Sequence, residues 1–247
     1  MQTPADPPSS QEPLVLQPLP PEDWPSFDHI ITEDDAPVDS VFSEKQMRLL
    51  TEPLYASWKP DRPFVAFANV GRFYRLHIPP LVPDVLLSVN VRLPENLFPK
   101  LNRSYFVWAY GKPPEVVIEV VSNCKGGEDT EKLEKYASVR VSNYFIFDPE
   151  HHLNENSLRG YRLNGSRYEP IQGDSFVVQE VGLALAIWHG RYEETDSQWL
   201  RWVDLQGKLI ATGAERADFE AERADANAEE NQRLTNLLRR HGIDPMD

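Results

Sequence analysis

Cysteine is almost absent from this chain: Cys124 stands alone among 247 residues. No internal disulfide can form, and a reducing, cytoplasmic setting is the expectation. Long apolar runs are missing as well. No stretch reaches the roughly 20 residues that a membrane helix needs, and the first residues lack the basic-then-apolar order of a signal peptide, so no membrane partner is expected. Histidine is scarce: six residues without ligand spacing, with His151 and His152 side by side in a loop-like stretch, which argues against a zinc site. Basic side chains are missing from residues 1–40, which hold nine acidic ones. Of 39 acidic and 25 basic residues the two ends, 1–40 and 213–247, hold 18 and 5, leaving 21 and 20 between them. The net charge of −14 therefore sits in the tails. A near-neutral centre neither excludes a nucleic-acid substrate nor supports one, and no basic stripe or recognition helix that would read bases is present.

What is there divides into three parts. Residues 1–40, rich in Pro, Asp, Glu and Ser, read as a disordered acidic segment. Residues 41–212 read as one folded domain, and 213–247 as an Ala/Glu/Arg-rich helix. Ser43 with Gln46 has the spacing of a capping box and predicts a first helix carrying Met47, Leu50, Leu54 and Tyr55, with Pro53 as a break. Strands are expected over Phe64–Val70 and Gly71–Ile78, joined by a turn at Gly71-Arg72, then over Val85–Val91 and Tyr105–Tyr110. In the first of these Phe64, Ala66 and Ala68 share one face and Val65 and Phe67 the other.

Val116–Val121 reads as the central strand. Asp129 is the expected cap of a helix bearing Leu133, Tyr136, Ala137 and Arg140, and Tyr144–Phe147, closed by Asp148-Pro149, as the next buried strand. Strand, helix and strand in that order predict a right-handed parallel crossover. Beyond it an Asn164-Gly165 hairpin and strands at Leu183–Trp188, Trp199–Leu205 and Lys208–Ile210 turn the pattern antiparallel. Alanines 214, 217, 221, 224 and 228 give the last helix a thin heptad-like seam, ended by Gly242 and Pro245. A coiled coil and a solvated charged helix both fit it, because alanine buries little area.

Glu119 interrupts the apolar run Val116-Val117-Ile118-Glu119-Val120-Val121. A buried carboxylate costs several kcal/mol unless it is paired or holds a metal. A second acid, Asp84, stands at the mouth of the Val85 strand, and Lys132 lies one turn into the helix after Glu119. Phosphodiester hydrolysis needs a divalent cation, and Mg²⁺ is commonly held by one or two carboxylates plus substrate oxygens. Asp84 and Glu119 supply such a pair, and Lys132 could position or deprotonate the attacking water or stabilise charge at phosphorus. Tyr136, four residues on, is expected to orient Lys132. A bland alternative stays open: Glu119 as a structural acid whose partner is Lys132, with no metal. Asp84 alone fits a strand start and Asp129 a cap; Glu44 joins the site if the first helix crosses the sheet, but an exposed helix position is the expectation. Cys124 has no nearby histidine to make it a nucleophile, and Lys125 competes with Lys132 for the lysine role.

Taken in order, Pro83-Asp84-Val85, the run from Pro114 through Glu119 to Asn123, Asp129-x-x-Lys132-Leu133-x-x-Tyr136-Ala137, and Val141-x-x-Tyr144 to Pro149 resemble the Uma-two family. These are predicted bacterial endonucleases of the PD-(D/E)xK, restriction-endonuclease-like superfamily. The resemblance covers roughly residues 41–190, and the tail from Leu238 to Pro245 is similar to the C-terminal extension of some members. It implies a mixed α/β (α+β) sheet flanked by helices, with Asp84 and Glu119 as ligands of Mg²⁺ (Mn²⁺ as substitute) and Lys132 as the catalytic lysine. One departure stands out: the superfamily's usual lysine position, two residues after the second acid, is Val121, and the lysine has moved to the next helix. The expected activity is DNA endonuclease, with a homodimer as the natural assembly. The rivals are a catalytically silent nuclease-fold scaffold acting through its C-terminal helix, and a nucleic-acid-binding protein that does not cut.

Overall fold

The computed structural model describes residues 18–24, 40–74, 80–123, 126–173 and 176–241. The first helix, α1 (Val41–Ala56), starts three residues earlier than the Ser43 spacing suggests. Ser40 is the cap: its backbone is extended and its Oγ accepts from the Ser43 N–H at 3.0 Å. Ser43 is inside the helix and buried. Gln46 also turns inward, where its amide donates to the Leu200 carbonyl and accepts from the Leu200 N–H, both at 2.9 Å. Pro53 lies within the last turn without ending the helix there.

The chain continues through β1 (Phe64–Ala68), β2 (Arg72–Phe73), β3 (Val85–Val89), β4 (Tyr105–Phe106), α2 (Val107–Tyr110) and β5 (Val116–Val120). Then come α3 (Glu131–Ser138), β6 (Asn143–Phe147), β7 (Leu158–Asn164), β8 (Arg167–Pro170), β9 (Phe176–Val178), β10 (Leu183–Tyr192), β11 (Thr195–Val203) and α4 (Gly213–Arg240). Six strands form the main sheet in the order β1-β3-β5-β6-β7-β8. Only β5 and β6 run parallel within it, linked through α3; every other neighbouring pair is antiparallel. This is the mixed sheet of a restriction-endonuclease-like fold.

Period-2 alternation assigns the two faces of the sheet. Phe64, Ala66, Val116, Ile118, Val120, Phe145 and Phe147 pack on one side against Met47, Leu50 and Leu54 of α1 and against a second sheet, β11-β10-β9, through Leu183, Leu185, Leu200 and Trp202. Val65, Leu86, Val117, Val121, Tyr144 and Ile146 face the other side, where Tyr136 of α3 and Tyr105 cover them. All five residues of β5 are therefore buried. That explains why its sequence reads as a continuous apolar run.

Several local expectations shift. β2 does not fold back on β1; it pairs in parallel with β4, Arg72 opposite Tyr105. Asn69, at a φ of 52°, ends β1 and donates its N–H to the Asp84 carbonyl at 2.9 Å, so the chain leaves the sheet before Arg72. The rest of the expected Gly71–Ile78 strand lies largely outside the described residues. Tyr105–Tyr110 is strand for two residues and then helix. The cap position of α3 is Thr130, not Asp129, and Asp129 pairs instead with Arg159 at 3.2 Å. Arg140, at a φ of 63°, already lies past the end of that helix. In the hairpin Asn164 pairs with Arg167, so the turn residues are Gly165-Ser166, with Gly165 at a φ of 59°. Leu209 makes only an isolated bridge to Val203. The Gly242 and Pro245 stop lies outside the described residues.

The last helix, α4, opens on a reciprocal capping box: Thr212 accepts from the Glu215 N–H while the Glu215 carboxylate accepts from that of Thr212. Glu215 also meets Arg201, which is 1% exposed, in a two-pronged ion pair at 2.6 and 2.7 Å. No residue of α4 is buried, and Phe219, Leu234, Leu237 and Leu238 are exposed. Among the described residues no helix is long and apolar enough to cross a membrane. The first turn of α4 is thus clamped to the domain while the rest projects. Ending the chain at Thr212 strands the buried Arg201 guanidinium and should lower unfolding free energy by about 2 kcal/mol or more. Ending it at Ala224 keeps the clamp and should change stability by less than about 0.5 kcal/mol. Urea unfolding of both truncations beside the full chain measures the difference.

Candidate active site

Asp84 and Glu119 come from adjacent strands. The β3–β5 register places Val85 opposite Ile118, and one step further along the antiparallel pair sets Asp84 opposite Glu119 on one face. The Asp84 Oδ2 accepts from the Val120 N–H at 2.7 Å, so its carboxylate reaches across to β5 beside Glu119. Lys132 and Tyr136, one turn apart on α3, both lean onto the same acid. Lys132 Nζ lies 2.9 Å from Glu119 Oε2, and the Tyr136 hydroxyl donates to Glu119 Oε1 at 2.6 Å. Sequence order therefore brought together the three intended residues. Tyr136 has a different part from the one expected: it holds Glu119, not Lys132.

Glu119 is 2% exposed. Burial pushes its carboxyl up, and the neighbouring Asp84 adds to the rise; Lys132 and Tyr136 pull the other way, and the outcome is about 8 against an ordinary 4.5. Lys132 moves upward as well: burial alone would lower it, but Glu119 and Glu128 outweigh that. The two directions are compatible because Lys132 has two carboxylate partners. Burial and Glu119 also raise the Tyr136 hydroxyl well above its usual range, so it remains a donor.

Glu128 escaped the sequence reading. It is 6% exposed, its Oε1 accepts from Lys132 Nζ at 2.9 Å, and its carbonyl accepts from the Tyr144 hydroxyl at 2.8 Å. The available signal was the four-residue step from Glu128 to Lys132, which ordinarily marks a solvated surface pair. The remaining candidates fall away from the site or out of view. Glu44 is exposed and paired with Arg48 on α1. His152 is in a loop beside Glu150. Cys124 and Lys125 lie outside the described residues.

This strand pair and helix lie inside a recognisable block of sequence. Residues 36–188 match the pattern of Uma2, a family described as "putative restriction endonuclease". The chain belongs to the Uma2 family. No curated protein matches it. The matched block takes in Asp84, Glu119, Glu128 and Lys132 and stops within β10, so α4 lies outside it. Membership supports a nuclease-like function and, with it, a nucleic-acid substrate.

Restriction-endonuclease-like proteins are typically metal-dependent, and the donors of this Uma2 protein fit a hard cation. Asp84 and Glu119 lie side by side, Glu119 and Glu128 share the Lys132 ammonium, and one buried oxygen, Glu128 Oε2, has no hydrogen-bond partner. Among the described residues no three His, Cys, Asp or Glu side chains gather in a metal-holding group. Lys132 is bonded to both glutamates. One or two carboxylates are enough for Mg²⁺ when waters and phosphate oxygens complete the shell.

The raised Glu119 carboxyl sets a pH signature for metal-free protein. Its folded form keeps a proton that the unfolded chain releases near pH 4.5, so this group's stabilising contribution is complete below that pH and is lost as pH climbs through about 8. In EDTA, wild-type unfolding free energy should fall relative to that of Glu119→Gln between pH 5 and 8. Urea titrations across that range test the slope; parallel curves would show that Glu119 titrates normally.

Proposed function

We propose that this protein is a metal-dependent endonuclease that hydrolyses phosphodiester bonds of DNA. The observation that supports it best is the convergence of Asp84, Glu119 and Lys132 on one face of the β3–β5 pair, inside the matched Uma2 block. Asp84 and Glu119 are the proposed holders of Mg²⁺, with Mn²⁺ as a substitute. When bound, such a cation supplies Lewis acidity toward a phosphate oxygen and a more acidic water. Lys132, kept charged by its carboxylates, is suited to hold the attacking water and offset negative charge at phosphorus, not to act as a base. Tyr136 fixes one Glu119 oxygen and leaves the carboxylate a defined orientation. A second copy, meeting through α4, is the proposed assembly. It draws support from the exposed Leu234, Leu237 and Leu238 on that helix.

One observation favours a different reading. Lys132 Nζ and Glu119 Oε2 already close on each other at 2.9 Å, a contact that a silent nuclease-fold scaffold would keep. Two measurements separate them. Millimolar Mn²⁺ or Mg²⁺ should raise the melting temperature of the wild type, because a ligand of the folded state stabilises it by mass action, and Glu119→Gln should remove most of the rise. Nicking of supercoiled DNA should fall by about 100-fold or more in Lys132→Ala, with the metal-induced rise retained. Lys125→Ala should do much less. Wild-type protein that neither cuts nor responds to metal would sink the enzyme reading and leave the scaffold.

A further inference from the structure

Glu128 sits just ahead of α3 with its carboxylate turned inward. Acids near a helix N-terminus are favoured by the helix dipole, but that advantage is available to an exposed side chain and does not require burial. Glycine makes room for it here. A Cβ on Gly126 would lie 1.8 Å from Glu128 Oε1, so the carboxylate rests directly against the glycine backbone. The Tyr144 hydroxyl holds the Glu128 carbonyl from the sheet side. The backbone of Glu128 is thus held on the sheet side, its carboxylate lies against Gly126, and Lys132 is the partner that carboxylate meets.

Lys132 thus divides itself equally, 2.9 Å from Glu119 Oε2 and 2.9 Å from Glu128 Oε1. Under the nuclease reading, on which this step rests, the two acids have unequal duties: Glu119 must turn its charge toward a cation. An ammonium with Glu119 as its only anchor would then lose its hold and be repelled by the incoming positive charge. We infer that Glu128 is a positioning residue that keeps Lys132 in the site when Glu119 engages the metal. Glu128 is assigned no part in binding the cation, since its Oε1 is taken up by Lys132.

Accessibility of the Lys132 amine reads this directly. Full-length protein is reductively methylated in EDTA and in millimolar Mn²⁺, and Lys132 modification is followed by peptide mass spectrometry. In the wild type Lys132 should stay protected in both conditions. In Glu128→Gln it should be protected in EDTA, where Glu119 still holds it, and be modified about tenfold faster with Mn²⁺, the scale expected for loss of a charged hydrogen bond. Gly126→Ala, which displaces the Glu128 carboxylate without removing any charge, should behave the same way. DNA nicking by Glu128→Gln should lose about tenfold or more in kcat with little change in KM. Its Mn²⁺-induced rise in melting temperature should match the wild type's. Lys132 staying protected in Glu128→Gln with Mn²⁺ would overturn the inference, as would loss of that rise, which would make Glu128 a ligand. No rise in the wild type itself would instead remove the nuclease reading and this inference together.

Discussion

A carboxylate inside a fully buried strand of the sheet is the constraint around which the rest of the domain is organised. Glu119 has both faces of β5 covered, one by α1 and the second sheet, the other by α3. An ionised group there costs several kcal/mol if left alone. α3 is placed so that two of its side chains answer this one residue, and the β3 register delivers a second acid to it rather than a second base. A fold optimised only for stability would have put valine at this position. Retaining an acid and setting another beside it makes sense where the excess negative charge is to be used.

The parts of this arrangement that were legible in the sequence are those carried by local pattern. The apolar run with one acid in it announced a central strand and pointed to Glu119 as the residue to explain, because an unpaired carboxylate is costly in a fully buried strand. Alternation in Phe64–Ala68 named the correct faces. What the sequence hid were contacts fixed by distant pairing. The partner of Arg72-Phe73 is Tyr105-Phe106, some thirty positions on, and nothing near Gly71 betrays it. Asp129 looks like a cap until Arg159 of β7 is brought alongside. Glu128 and Lys132 look like a solvated pair until Gly126 and Tyr144 are brought against Glu128.

The same distinction applies at the C-terminal end. Composition changes sharply at Gly213, and the helix does begin there. Yet its first turn is bound to the domain through Arg201, whose guanidinium also lies 4.9 Å from the Trp188 ring and donates to the Ile210 carbonyl at 3.0 Å. Charge and alanine content described the projecting portion well. They could not register that Glu215, one acid among many in that segment, compensates a buried cation.

Gln46 has a consequence beyond tying α1 to the second sheet. β11 is an outer strand of its sheet, and an outer strand offers a row of unfilled backbone donors and acceptors on which another extended chain can build. By presenting one amide that both donates and accepts, Gln46 imitates a neighbouring strand at Leu200 and occupies that template. The helix thereby serves as a guard against strand-by-strand polymerisation, a protection that depends on an amide at that position and that a hydrophobic residue of equal size, however well it packed, would not provide.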